Sequence, residues 1–230
     1  MRPLRPGGAE VSAPADAAKG EPLVPRLRAM LELRPDWYRA TLGRLAAQLG
    51  STAVPGARVA GDTMPDFVLP DAADGLVSSA DLRARGPLVV CFVRGGWCPF
   101  CSATLSALDE VLPRVVAAGG TLVALSPDTL GLGAQMQSRL GLRFKILADV
   151  DCAVALQFGT AYRVPPDYRD ALLHFGIDLL SRYGDGPGLL SMPATFVCDA
   201  SGIIRFAHVS GDITERAEPA VVARLVEALG

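Results

Sequence analysis

The feature that most constrains this chain is the stretch at residues 87–101, PLVVCFVRGGWCPFC. Residues 87–93 are continuously apolar and rich in β-branched side chains, the pattern of a strand buried on both faces. After Cys101 the apolar positions Leu105, Leu108, Leu112, Val115 and Val116 recur at helical spacing. Cys98 and Cys101 therefore fall in a turn between a buried strand and the start of a helix. Gly95 and Gly96 permit a tight exit from that strand. Pro99 has no N–H to lose at a helix start, and its ring pre-sets the backbone there.

This position favours thiol chemistry. The first turn of a helix presents unpaired N–H groups and the positive end of the helix dipole, and both favour a thiolate. A cysteine there can ionise well below the free value of about 8.5. A second thiol three residues on lies about one turn away, close enough to close a disulfide. A C-x-x-C pair can also be half of a zinc site, but zinc needs two more ligands, usually as a second close pair. Cys91, Cys152, Cys198, His174 and His208 are scattered. Residues 98–101 thus read as a redox pair.

Composition narrows the remaining classes. The chain has 230 residues and a net charge of -2, with no basic bias toward nucleic acid and no apolar run of membrane-spanning length. Its five cysteines do not form a secreted disulfide framework. Arg2 and Arg5 are followed by no apolar segment before Pro22, unlike a secretory signal. The expected location is the cytoplasm.

Residues 1–22, rich in Pro, Gly and Ala, are expected to be disordered. Residues 23–50 read as a helical extension of two helices separated near Pro35. Leu27, Met30 and Leu31 mark one face; Trp37, Tyr38, Leu42, Leu45 and Leu49 mark the other, and Gly50 caps the end. The pair is expected to pack on its own domain, with a homodimer contact as the alternative. Residues 51–63 read as a linker, and 60–230 as the main domain.

Within that domain, 66–70 reads as a strand and Ser79 as the cap of a short helix. Residues 121–125 and 144–147 read as strands, 130–140 and 149–158 as helices. Residues 165–183 read as a helical insertion. Residues 194–198 and 203–209 form a hairpin around the turn at 199–202, and 218–229 is a closing helix. This is an α/β layout with a mostly parallel central sheet, an antiparallel hairpin and helices on both faces.

The stretch FVRGGWCPFC, the strand TLVALSPD, the segment ILADVDCAVALQFG and the hairpin PATFVCDASGIIRF resemble the peroxiredoxin-like branch of the AhpC/TSA group over residues 60–229. The resemblance implies a thioredoxin-like fold. It also implies a two-cysteine thiol peroxidase that needs no metal or organic cofactor and is reduced by thioredoxin or glutathione. The group's P-x-x-x-T-x-x-C motif places its attacking cysteine on Cys101, its threonine on Cys98 and its proline on Arg94. A later family arginine falls on Pro193. Trp97 to Cys101 instead match the W-C-x-x-C of thioredoxin-like reductases, in which the first cysteine, here Cys98, is the exposed nucleophile. Those proteins carry a cis-proline facing the pair, and Pro193 fits that place.

Which cysteine attacks stays open at this point. Arg94 reads as a solvated loop residue, with charge donation to the thiolate as the alternative. Cys91 and Cys198 read as buried structural thiols. Cys152 does too, with a resolving role as the alternative. Two other functions compete: protein-disulfide exchange through Cys98, and a carrier holding copper through Cys98, Cys101 and His208.

Overall fold

The apolar run becomes strand β3, and the rest of the molecule is built on it. We describe a computed structural model covering residues 20–50, 54–73, 75–184 and 188–230. The expected disorder of residues 1–22 lies almost wholly outside these described residues. Before β3 come helices α1 (Leu23–Glu32) and α2 (Asp36–Leu49), the antiparallel strands β1 (Val68–Pro70) and β2 (Leu76–Ser78), and the short helix α3 (Ser79–Arg83). Then follow β3 (Leu88–Phe92), α4 (Pro99–Ala117), β4 (Thr121–Ser126), α5 (Leu130–Leu140), β5 (Lys145–Ala148) and α6 (Ala153–Gln157). The chain closes with β6 (Ala161–Arg163), α7 (Pro166–His174), α8 (Leu179–Tyr183), β7 (Leu189–Ser191), β8 (Ala194–Cys198), β9 (Ile204–Val209) and α9 (Pro219–Glu227).

The main sheet runs β5-β4-β3-β8-β9. β3 pairs parallel with β4 and antiparallel with β8, so both its edges are satisfied and all five of its residues are buried. Its side chains alternate between two cores. Val89, Cys91 and Val93 join α1, α2, α4, α5, α7 and α9 on one face. Leu88, Val90 and Phe92 join Phe67, Val77, Leu82 and Phe158 on the other.

The N-terminal helices pack on the same face as α4, with Leu23, Leu27, Leu42 and Leu45 buried in that core. The first turn of α1 lacks a cap from its own chain neighbours. The Glu218 carboxylate supplies one, accepting the Leu23 and Val24 N–H groups at 2.7 and 2.9 Å.

Several local expectations need correction. Residues 54–63 are not a free linker: Arg58 N–H donates to Phe158 O, and Gly61 N–H to Ile204 O at 2.8 Å. The cap of α3 is Ser78, which accepts the Asp81 N–H, while Ser79 is buried and donates to Asp66. The helix expected at 149–158 contracts to α6. The Asp149 carboxylate takes the Val154 and Ala155 N–H groups at 3.0 and 2.9 Å, so helix begins only after Cys152. Trp37 and Val116 are exposed rather than core-facing. The three-residue strands β2, β6 and β7 are too short to show a period in the sequence.

Candidate active site

The end of β3 delivers the dithiol to the sheet's C-terminal edge. After Val93, the turn passes through Gly95 at φ +131°. A Cβ at Gly95 would lie 2.5 Å from the Tyr183 hydroxyl and 2.6 Å from Trp97 Nε1, so this turn needs glycine. The chain then enters α4 with Cys98 as its N-cap and Pro99 as its first helical residue. Cys98 Sγ accepts the Cys101 N–H at 3.4 Å, the geometry in which Ser or Thr usually caps a helix. The structure thus places Cys98 and Cys101 together at the start of α4, both as free thiols.

Arg94 departs from its expected solvated position. It is 1% exposed, and its Nη2 donates to Cys98 Sγ at 3.0 Å. Its Nη1 donates to the Tyr168 hydroxyl. The guanidinium lies over the Trp97 ring at 5.3 Å and the Tyr168 ring at 5.8 Å. The Arg94 backbone N–H points to Cys101 Sγ at 3.5 Å. Tyr168 comes from α7, in the 165–183 insertion, so the sequence around Arg94 carried no sign of its partner.

The two thiols are pushed apart in acidity. Burial pushes the Cys98 thiol up, but hydrogen bonding from the Cys101 thiol, the Arg94 charge and the Cys101 N–H outweigh it and hold Cys98 well below the ordinary value. Cys101 lies well above it, through burial and through the proton it shares toward Cys98. A thiolate at Cys98 beside a thiol at Cys101 is the favoured state of the pair. The other cysteines stay protonated. Burial pushes Cys91 and Cys198 to about 11, and burial with the Asp149 and Asp151 charges pushes Cys152 to about 12. Cys152 belongs to the core on the opposite face of the sheet from the dithiol.

A second buried cation, Arg216, was not legible as a site residue. It is 5% exposed, and its Nη1 donates to the Glu215 carbonyl at 2.8 Å. Its electrostatic influence reaches Cys101, Cys98 and Cys91. A polar network braces the turn from outside. Asp128 accepts the Gly96 N–H at 2.6 Å and the Tyr183 hydroxyl at 2.9 Å, and Tyr183 in turn accepts the Trp97 indole N–H at 2.9 Å.

The loop at 94–100 forms one wall of a cleft of about 950 Å³, whose other walls include Tyr38 from α2, Met136 from α5 and Phe175 after α7. The sulfurs sit behind that wall. Cys98 is 0% and Cys101 1% exposed, so the expected exposed nucleophile is corrected to a covered one. The cover comes from α2 and α7, elements added around the core of the fold.

Pro193 precedes β8, next to the end of β3 in the register Phe92↔Ala194. Its peptide bond is trans, against the expected cis form: the described residues contain no cis bond. His208 lies on β9 opposite Thr195. The described residues bring together no group of three or more His, Cys, Asp or Glu able to hold a metal. Among them, no helix is long and apolar enough to cross a membrane.

A β-α-β unit followed by an antiparallel hairpin, with a dithiol capping the helix after the central strand, defines a thioredoxin-like α/β protein. The family model described as AhpC/TSA family matches residues 60–207, and the chain belongs to that family. Two Mycobacterium tuberculosis sequences whose names carry the word peroxiredoxin are 34% identical over 99 residues, 43% of this chain and 62% of theirs. The chain thus spans less than two thirds of the length of those relatives. The thiol:disulfide interchange protein DsbE of Vibrio cholerae is 28% identical over 168 residues, 73% of each chain. Among solved structures, peroxidoxin BcpB from Mycobacterium tuberculosis superposes with a TM-score of 0.57 at 20% identity, over 74% of this chain and 96% of that one. α1 and α2, which pack in the same core as the dithiol, lie outside the matched 60–207.

Proposed function

We propose that this protein is a thiol peroxidase in which Cys98 attacks and Cys101 resolves. The observation that carries the reading is the Arg94 guanidinium 3.0 Å from Cys98 Sγ, a charge-assisted contact that favours the thiolate. The Cys98 thiolate attacks the terminal oxygen of a hydroperoxide. The O–O bond breaks, an alcohol or water leaves with one added proton, and Cys98 becomes a sulfenic acid. The Cys101 thiol then displaces water from that sulfenic acid, giving a Cys98–Cys101 disulfide. Two thiols of an external reductant, from thioredoxin or glutathione, restore both cysteines and leave as a disulfide. Arg94 and Arg216 supply the positive charge that the family overlay expected from a different position. Because the sulfurs are covered, the cleft wall has to yield before a peroxide reaches them. The reaction takes place in the cytoplasm, and no organic cofactor or metal enters it.

A second reading has two supports. The low-pKa cysteine is the first of the W-C-P-F-C pair, as thiol–disulfide exchange enzymes require, and the DsbE relative shares 73% of its length with this chain. Its weak point is burial, since a protein disulfide needs an accessible sulfur. Stopped-flow oxidation by hydrogen peroxide separates the two. The peroxidase reading expects fast sulfenate formation that Cys98→Ser abolishes and Cys101→Ser traps. Slow oxidation alongside efficient reduction of protein disulfides would overturn it.

A further inference from the structure

The cleft beside Cys98 is lined by arginines that no carboxylate among the described residues pairs with, Arg94 facing the Cys98 sulfur instead. Arg34, Arg94, Arg139 and Arg182 all line it. Several arginines elsewhere are held by carboxylates, among them Arg28 by Glu215, Arg83 by Asp66, Arg114 by Glu227 and Arg143 by Asp109, while others, such as Arg58, donate to a backbone carbonyl. Among the described residues, no carboxylate lies within ion-pair distance of Arg34, Arg139 or Arg182. Arg139 donates instead to the Gly96 carbonyl at 3.0 Å and the Ser102 hydroxyl at 3.3 Å, both neutral. Asp128 is the one acid among the described residues that line the cleft, and its oxygens are occupied by Gly96, Ser126 and Tyr183. With Arg94 engaged by the Cys98 thiolate and Asp128 set against one of the other three, two positive charges remain.

Between these arginines the wall is apolar, formed by Leu132, Met136, Phe175 and Ile177. A cleft of about 950 Å³ is large for hydrogen peroxide and matches the size of ordinary small-molecule sites. An apolar wall with unanswered arginines suits a carboxylate attached to an apolar body, since guanidinium and carboxylate match in geometry as well as charge. Arg34 follows α1 and Arg182 lies in α8, so the two come from the N-terminal extension and the 165–183 insertion.

We propose that this cleft binds the carboxylate end of a small organic molecule with an apolar body. Arg34 and Arg182 receive the carboxylate, and the reacting group rests against the wall in front of Cys98. The inference rests on the peroxidase reading and names the ligand class of the same site. Two reactants share this chemistry. One is a carboxylate-bearing hydroperoxide, which oxidises Cys98 and leaves as the hydroxy acid. The other is a carboxylate-bearing thiol. One molecule of it attacks the Cys98–Cys101 disulfide, forming a mixed disulfide with one cysteine and freeing the other, and a second displaces the cysteine held in the mixed disulfide and leaves with the first as the symmetrical disulfide.

The test uses the full chain and ligand pairs that differ only in charge. In the oxidative arm, the reduced protein meets the hydroperoxide of a long-chain fatty acid or of its methyl ester, with hydrogen peroxide as reference. In the reductive arm, the disulfide form meets an aryl thiol bearing a carboxylate or the same thiol as its methyl ester. The expected result is an acid-over-ester rate ratio of about tenfold or more in one arm, the scale of one charge-assisted contact. That arm identifies the reactant. The ratio should fall toward one in Arg34→Glu/Arg182→Glu, and in the unaltered protein as salt rises, which needs no variant to fold. Ratios near one in both arms, or a ratio that survives charge reversal, overturn the inference. Failure of hydrogen peroxide itself to oxidise Cys98 overturns the peroxidase reading instead.

Discussion

Replacing Arg94 by methionine removes the one charged donor to Cys98 Sγ while keeping much of the buried volume. A hydrogen bond to a charged group is worth about 1.5–3 kcal/mol. At about 1.4 kcal/mol per unit, the Cys98 pKa should rise by about one to two units. Burial still opposes the donors that remain, the Cys101 thiol and the Cys101 backbone N–H. The neutral-pH rate is a poor readout, because a more basic thiolate is also a better nucleophile, with a Brønsted slope of about 0.4–0.5. The midpoint of iodoacetamide alkylation against pH, located at Cys98 by mass spectrometry, is the direct one. Arg94→Lys keeps the charge but not the fork that also holds Tyr168, and should fall between the two. Stability follows the same sign. A cysteine whose folded pKa is depressed adds stability that is complete above the unfolded value, about 8.5, and is lost as pH falls through the folded value. In Arg94→Met the loss should still begin at the unfolded value, but it should be smaller and complete at a higher pH. An unchanged or lower alkylation midpoint would refute the assignment of Arg94 as the counter-ion.

Three further outcomes test the surrounding structure. Tyr168→Phe leaves the Arg94 Nη1 without its hydroxyl and should cost about 1–3 kcal/mol in urea unfolding, with a smaller rise in the Cys98 midpoint than Arg94→Met. Gly95→Ala places a methyl against Tyr183 and Trp97 at a positive φ, so it should lower Tm and change Trp97 fluorescence; unaltered spectra would contradict the packing. The covered Cys98 should react faster with a small alkylating agent than with a bulky maleimide, and truncation of Tyr38 to alanine should narrow that difference; equal rates with both reagents would show that the cover does not exist in solution.

Some of the site was legible from residue order because its physics is local. An apolar run, two glycines and a cysteine three residues before another lie within one turn of strand and helix. That is enough to place Cys98 at a helix start. The counter-ion was not legible. Arg94 beside two glycines looks like loop, and its burial comes from Tyr168, 74 residues later. The brace on the turn joins Asp128 to Tyr183 across 55 residues, and no short-range pattern predicts such a contact. Pro193 shows the converse error: its place before a strand was right, but its trans bond was not what the family pattern implied.

By itself, then, the sequence determined the alternation of buried strands and helices and the place of Cys98 and Cys101 where a helix begins, because each follows from side-chain periodicity or from spacing within a turn. Only the tertiary structure decided which sulfur the Arg94 guanidinium faces, that both are covered, and which arginines line the cleft. Those depend on charges and rings brought in from α2, α7 and α8, whose separation along the chain leaves no local trace.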